Sequence, residues 1–282
     1  MRRLTLCAIV LLVVLVAGCG GGDSTPEVIA GVFFPLQVGQ VWNYTLATRV
    51  DYGDQTFTGG GNVCARMPAT TPLRLDGTSH LAYELRYVPT VTSGPGDFFC
   101  QRMTNPLRDV IRRLFATDGG MMPRTAFYAP LDADGLVSAD RIVLAALQGE
   151  GEPLEYASPP RPFLLTPVVR GVAESASETF LPMPLMPPEC MISDLHMTSK
   201  LLDLSLMDTA AGSGLAVIFI ENFDARIHQD GVDGVMSGRA RHYFQDGFGL
   251  VQADWAAEIT LDGETVRVES DLTLTDYSNG ED

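Results

Sequence analysis

Apolar and polar residues alternate along much of this chain, and the alternation has period two. Trp42, Tyr44, Leu46, Thr48 and Val50 fall on one face, and Asn43, Thr45 and Arg49 on the other. That is the signature of a half-buried strand. The acidic, Gly-rich stretch from Asp51 to Gly61 turns the chain, and Asn62 to Arg66 reads as a second strand. Leu81, Tyr83, Leu85 and Tyr87 alternate with Ala82, Glu84 and Arg86, predicting a third. Phe98 to Met103 and Thr125 to Tyr128 are further candidates. Later strands are expected at Leu201 to Met207, at Leu215 to Ile220, along Phe223, Ala225 and Ile227, and through Arg239, Arg241 and Tyr243. The clearest element is a hairpin near the carboxyl end. Trp255, Ala257, Ile259 and Leu261 form one face, Asp262-Gly263 supplies a two-residue turn, and Val266, Val268, Leu272 and Leu274 return. That turn sets Ile259 against Val266 and Ala257 against Val268, apolar against apolar.

Two segments carry other patterns. Asp109 to Ala116 is apolar at Val110, Ile111, Leu114 and Phe115, which fits a short helix slightly better than a strand, and Asp140 to Gln148 reads as a second short helix. Residues 153–190 are rich in proline, which fixes φ and removes a backbone donor, so they suit loops and edge segments. Pro167-Val168-Val169-Arg170-Gly171 echoes Pro35-Leu36-Gln37-Val38-Gly39, a hint of two similar halves meeting near 150–165. The expected fold is therefore mainly β (β-rich α+β): a curved antiparallel sheet, half-barrel or sandwich-like, with one or two short helices. Alternating strands have one wet face and one face that needs cover.

The amino end departs from this alternation. Arg2 and Arg3 precede a 14-residue apolar run from Leu4 to Ala17, which ends at Val16-Ala17-Gly18-Cys19. A spanning helix needs about 20 apolar residues, so the run suits a cleaved signal peptide. An aliphatic residue, two small residues and cysteine resemble the bacterial lipoprotein signal. That resemblance implies lipid on the Cys19 thiol and maturation with Cys19 as first residue. Two or three acyl chains hold firmly, at about 0.8 kcal/mol per buried CH₂. The expected layout is a signal peptide at 1–18, a flexible tether at 19–30 and a single β-rich domain at 31–278. Gly20 follows the cysteine where enteric lipoproteins of the inner membrane carry aspartate, which turns the expected address toward the outer membrane.

Composition supports a globular envelope protein. Charged residues make up 19% and apolar residues 46% of the chain, which excludes a disordered class. With Arg2 and Arg3 removed, 17 basic residues stand against 35 acidic ones, a net charge of −18. Such a surface repels nucleic acid and anionic headgroups, so no nucleic-acid partner is expected. The membrane is reached through lipid on Cys19, and a lipid-like ligand or an envelope protein is the expected further partner. Cys64, Cys100 and Cys190 remain for pairing in an oxidising compartment. Three single bridges are open to them; Cys64 with Cys100 is the favoured one, both lying in strand-like stretches.

Chemistry is sparse. His80, His196, His228 and His242 show no H-x-x-x-H or H-E-x-x-H spacing, and there is no G-x-S-x-G elbow, phosphate loop or dinucleotide fingerprint. His228 and His242 flank the Asp230–Gly234 turn and could face each other as a surface pair. Asp132-Ala133-Asp134-Gly135 is a fragment of a calcium loop, but loop positions 1 and 12 would hold Pro130 and Arg141, so a surface turn is expected instead. Met183, Met186, Cys190, Met191, His196 and Met197 offer soft ligands that suit copper(I). The competing reading, packing of a Pro-rich loop by adaptable Met side chains, is preferred. No cofactor and no catalytic residue are assigned.

Two motifs resemble those of a large group of uncharacterised bacterial envelope lipoproteins. One is Phe34-Pro35-Leu36-x-x-Gly39-x-x-Trp42-x-Tyr44; the other is Tyr243-Phe244-x-x-Gly247-x-Gly249-Leu250-Val251. The resemblance implies a half-barrel that carries or holds lipid-like molecules. Physically, Pro35 and Gly39 set a turn, Trp42 and Tyr44 begin a buried face, and Gly247 and Gly249 allow a loop at positive φ. The sequence thus points to a non-enzymatic binding domain for an apolar ligand or envelope partner. A structural component of an envelope assembly without ligand is the alternative, and an envelope hydrolase a more distant one.

Overall fold

The computed structural model describes residues 28–29, 31–75, 78–93, 125–131, 135–140, 154–155, 161–162, 168–169, 173–177, 183–184, 190–229 and 231–280. In chain order the strands are β1 (Val28–Ile29), β2 (Val41–Tyr52), β3 (Gln55–Leu75), β4 (Thr78–Ser93), β5 (Thr125–Leu131), β6 (Gly135–Asp140), β7 (Leu154–Glu155) and β8 (Arg161–Pro162). They continue with β9 (Val168–Val169), β10 (Ala173–Ser177), β11 (Met183–Pro184), β12 (Cys190–Thr209), β13 (Gly212–Gln229), β14 (Val232–Gln245), β15 (Gly249–Leu261) and β16 (Glu264–Ser278). Fourteen of them form one sheet in the order β10-β12-β13-β14-β15-β16-β2-β3-β4-β5-β6-β8, with β11 beside β12 and β7 beside β3. β1 and β9 pair separately.

Among the described residues there is no helix, and the sheet's two ends do not pair. Among the described residues the fold is all-β, one open and unclosed antiparallel sheet. A twisted open sheet wider than about ten strands curls. The main strands run antiparallel, each to the next, and only the short β3–β7 pairing is parallel.

The first and last of the long strands meet in the middle of the sheet. β16 pairs with β2 along Val50↔Val268, Leu46↔Leu272 and Tyr44↔Leu274. From that seam β2 to β6 run outward on one side and β16 back to β12 on the other. Each half of the chain thus contributes five consecutive strands.

Period-two alternation decides the faces. Trp42, Tyr44, Leu46, Thr48 and Val50 are all buried. Register carries that face across the sheet: Val63 and Ala65 on β3, Val266, Val268, Leu272 and Leu274 on β16, and Ala257, Ile259 and Leu261 on β15. Burying one large apolar side chain contributes about 1.5–3 kcal/mol, so this concave face is the main source of stability. The convex face is charged, with Arg49, Asp51, Glu269, Asp271 and Asp254 at the intervening positions.

Several expectations change in detail. The hairpin register is as read: Ile259 pairs with Val266 and Ala257 with Val268. The short strand at Asn62 to Arg66 is the middle of a 21-residue strand. A β-bulge between Arg66 and Ala69, opposite Arg86 and Glu84, places Pro68 where no ladder donor is needed. The expected pieces at Leu215 and Phe223 merge into one 18-residue strand. On β4 the face assignment fails at the start: Leu81 is 57% exposed while Ala82 is buried. Asp140 closes β6 and so does not start a helix. The candidate segments at 98–103, 109–116 and 141–148 lie outside the described residues. Val28 and Ile29, within the expected tether, already form a two-residue strand against Val168 and Val169.

Candidate functional site

The concave face has one closed end and one polar belt. The closed end is made by the two sequence motifs, which pack on each other. Phe33 and Phe34 are buried, and Phe34 meets the Phe244 ring edge-on at 6.0 Å. Val32 N donates to Asp246 Oδ1 at 2.7 Å, and Gly247 N donates to the Val32 carbonyl at 3.0 Å. Trp42 Nε1 donates to the Phe248 carbonyl at 2.6 Å, and the Tyr44 hydroxyl donates to the Leu250 carbonyl at 2.8 Å. Both bonds reach from β2 past β16 to the start of β15. Gly247 and Gly249 adopt φ of 80° and 87°, as the loop requires.

Buried amides complete this end. Gln245 is fully buried; its Nε2 donates to the Gly212 carbonyl at 3.0 Å and its Oε1 accepts from Thr209 Oγ1 at 2.7 Å. Gln40 donates from Nε2 to the Tyr277 hydroxyl at 3.1 Å. Every named polar group here is spent on structure. Burial, and to a lesser degree the nearby Tyr87, hold the Tyr44 phenol well above its ordinary range, so it acts as a fixed donor.

The belt lies further along the same face. Register aligns Glu221 on β13, Ala240 on β14, Trp255 on β15, Ser270 on β16, Thr48 on β2 and Gly59 on β3 in one transverse row. The two apolar clusters lie on either side of it. One contains Trp42, Tyr44, Leu46, Phe244 and Leu272; the other contains Val50, Phe223, Ala257, Ile259 and Val268. Thr48 Oγ1 and Ser270 Oγ are 3.4 Å apart. His242, one row toward the closed end, donates from Nε2 to Glu221 Oε2 at 3.0 Å. The two side chains are 25% and 16% exposed, so water or a ligand reaches the pair. His242 also stacks on Phe244 at 6.2 Å, and Trp255 lies parallel to Phe223 at 5.9 Å.

No local sequence pattern marks this pair. Glu221 is one polar position between the apolar stretches at Leu215 to Ile220 and Phe223 to Ile227. Its place on the apolar face shows only once Leu215 to Ile227 is a single strand.

The residues that the sequence singles out are scattered. His228 pairs with Asp233 at 2.8 Å on the β13–β14 hairpin, and His242 bonds Glu221, so the two histidines do not face each other. Cys64 is a free, half-buried thiol. The expected Cys64–Cys100 disulfide is therefore not supported, and Cys100 lies outside the described residues. Cys19 and Met186 lie outside them as well. Of the copper candidates, Met183 pairs with Ile192, Cys190 with Gln229, and His196 and Met197 with Asp224 and Phe223. Cys190 and His196 are six positions apart on one strand, with a register shift between Ser193 and His196. Asp132 and Asp134 are outside the described residues, between the paired ends Leu131 and Gly135. Among the described residues no three His, Cys, Asp or Glu side chains gather as a metal site, and no helix is long and apolar enough to cross a membrane.

No protein-family model matches the chain, and no curated protein does. Among solved structures it is similar to a putative lipoprotein from Parabacteroides distasonis, at 10% identity over 89% of this chain and 100% of that one, with a TM-score of 0.39. It is also similar to a putative exported protein with a YmcC-like fold from Bacteroides fragilis, at 9% identity over 88% of this chain and 100% of that one, with a TM-score of 0.33. At these scores neither structure bears on what the chain does.

Proposed function

We propose that this chain is a lipid-anchored protein of the bacterial cell envelope whose concave sheet face binds an apolar ligand or an envelope partner without catalysis. The observation that carries the reading is the one-faced sheet. Apolar side chains continue across its concave side, one end is closed by Phe34, Trp42 and Phe248, and a single polar belt interrupts it. Apolar surfaces with a few placed polar groups are the usual form of small-molecule sites.

The address follows from Val16-Ala17-Gly18-Cys19 and from Gly20, which favours the outer membrane. The acidic domain does not seek anionic headgroups, so lipid on Cys19 supplies the attachment. Native mass spectrometry with lipid extraction, on protein purified from its own envelope, tests the binding reading. A co-purifying lipid or protein is expected; protein bare of both overturns it. Cys19→Ser should abolish lipid labelling, and unchanged labelling would remove the anchor.

A second reading, an anchored component of an envelope assembly, draws on one specific feature. On β12, the described partners β10 and β11 reach only as far as Lys200. Beyond it Leu202 and Leu206 are 48% and 84% exposed. An edge of this kind can receive a strand from another protein.

A further inference from the structure

We propose that the outer edge of β12 pairs with the same edge of a second copy of this chain, antiparallel about a two-fold axis at Leu206. This rests on that edge being an assembly surface and names what it receives. Backbone direction comes first. Thr209 pairs with Gly212 across the two-residue turn Ala210–Ala211, so these two exchange ladder hydrogen bonds. Alternate residues of an antiparallel strand face the same neighbour. Met207, Ser205 and Asp203 therefore turn their amides and carbonyls to β13, and Asp208, Leu206 and Leu204 turn theirs outward. Two local bonds agree with this. Leu204 N donates to Asp203 Oδ1 at 2.8 Å, and the Leu206 carbonyl accepts from Ser205 Oγ at 3.4 Å. Both partners are adjacent residues, standing where a neighbouring strand would bond.

The limits of this edge fix the register. On one side β10 ends opposite Lys200, and a β-bulge follows between Leu201 and Asp203. On the other side the turn begins at Ala210. The regular stretch is Asp203–Thr209, which holds neither glycine nor proline, and its midpoint is Leu206. Leu206 is also the most exposed large apolar side chain among the described residues, at 84%. A two-fold there sets Leu206 against its own copy, Leu204 against Asp208 of the second copy, and Asp203 against Thr209. Leu204 of each copy is then a diagonal neighbour of Leu206 of the other, so two leucines from each gather at the axis. No carboxylate stands directly opposite another, which matters in a chain of net charge −16. Sliding the copies by two residues in one direction puts Ala210 of the second copy opposite Lys200, where Ala173 already lies. Sliding them in the other shortens the ladder. Regular edges with apolar side chains are where strands add, and a self-complementary one closes into a two-fold dimer.

Cross-linking and mass both test this on the full chain. Opposite residues of an antiparallel pair that share hydrogen bonds have Cα atoms about 5.5 Å apart, inside the range of about 4.4–6.8 Å that a disulfide spans. Mild oxidation in membranes should therefore link Leu206→Cys into dimers above the wild-type background. Val235→Cys should not link, because Val235 is 57% exposed but lies on β14, which is paired on both sides. Purified wild type in detergent should sediment as a dimer. Leu206→Lys sets two ammonium groups face to face at an exposed position. It should weaken dimerisation roughly tenfold or more and leave the far-UV circular dichroism unchanged. Equal linking of Val235→Cys, or a dimer that Leu206→Lys leaves intact, overturns the pairing of copies. If a monomeric wild type instead holds a different protein that Leu206→Lys releases, the second copy is excluded and the assembly reading stands. A monomer that holds nothing at this edge overturns both.

Discussion

Trp42 Nε1 donates a 2.6 Å hydrogen bond to the carbonyl oxygen of Phe248, 206 positions away in sequence. Two residues further along the same strand, Tyr44 does the same for Leu250, also 206 positions away. These bonds fasten the first long strand to the loop that begins β15, and they close one end of the concave face. Tyr44→Phe keeps the ring and Trp42→Phe exchanges the indole for a smaller one, and each leaves a carbonyl without its donor. Each should lower unfolding free energy in urea by about 1–3 kcal/mol. The two sites are neighbours on one face, so the double variant should depart from additivity. A loss below a few tenths of a kcal/mol for both would mean that the closed end is held by packing alone.

The same tyrosine gives an alkaline signature. Its phenol is held well above the ordinary 10.0, chiefly by burial and then by Tyr87. The folded protein therefore keeps a proton that the unfolded chain releases near pH 10. Where the folded state binds more protons, stability falls as pH rises. This contribution is intact below pH 10 and is lost progressively above it. Tyr44→Phe removes it, so the gap between wild type and variant should narrow above that pH. A gap that stays constant through the alkaline range would refute the burial of the phenol.

Much of this architecture is legible from alternation, because a strand with one wet face writes its pattern directly. The buried set on β2 and the Ile259↔Val266 register follow from single residues. What is not legible depends on distance or on interruption. Gly59, Gly60, Gly61, Pro68 and Pro72 break the pattern of β3, although a bulge and exposed positions absorb them within one strand. The two motifs read as separate local turns, and their mutual packing is a contact across 206 residues that no local rule predicts. The Glu221–His242 pair is hidden for a similar reason: its row is defined by register across four strands and the seam between β16 and β2.

Gly238 is needed for want of a side chain. A Cβ there would lie 2.6 Å from the Phe223 ring and 2.9 Å from the Ala257 backbone, and would also strike the Ala256 carbonyl. Two of these neighbours are backbone and cannot yield cheaply. Gly238→Ala should cost about 1–3 kcal/mol as overpacking and should tilt Phe223 off Trp255. Reduced stability together with a changed tryptophan emission is the expected result. A neutral substitution would show that β14 and β15 can separate locally.

On the convex face Asp254 and Asp271 stand directly opposite each other. Partial burial, then Asp254, then Glu269 hold the Asp271 carboxyl above its ordinary range. Its charged form is the disfavoured one in the fold, so the destabilisation is present at neutral pH and is relieved as pH falls through the raised value. Asp271→Asn should stabilise by a few tenths of a kcal/mol at pH 7, an amount kept small by exposure to water. The gain should vanish in acid, below the ordinary carboxylate range. A variant less stable than wild type at pH 7 would contradict the repulsion.

Cys64 distinguishes a free thiol from a bridge by two independent readouts. It sits on the convex side of β3, opposite Asn43 of β2 and Val88 of β4, and it is half-buried. A thiol there is within reach of iodoacetamide, so protein purified without reductant should carry the alkyl group on Cys64. Stability gives the second readout. Removing a free, half-exposed thiol by Cys64→Ser should change unfolding free energy by no more than about 0.5 kcal/mol. Removing half of a disulfide to Cys100 would cost about 2–5 kcal/mol under oxidising conditions and nothing comparable after reduction. A Cys64–Cys100 linked peptide, or a loss of that larger size that disappears with reductant, would restore the bridge that the sequence suggests.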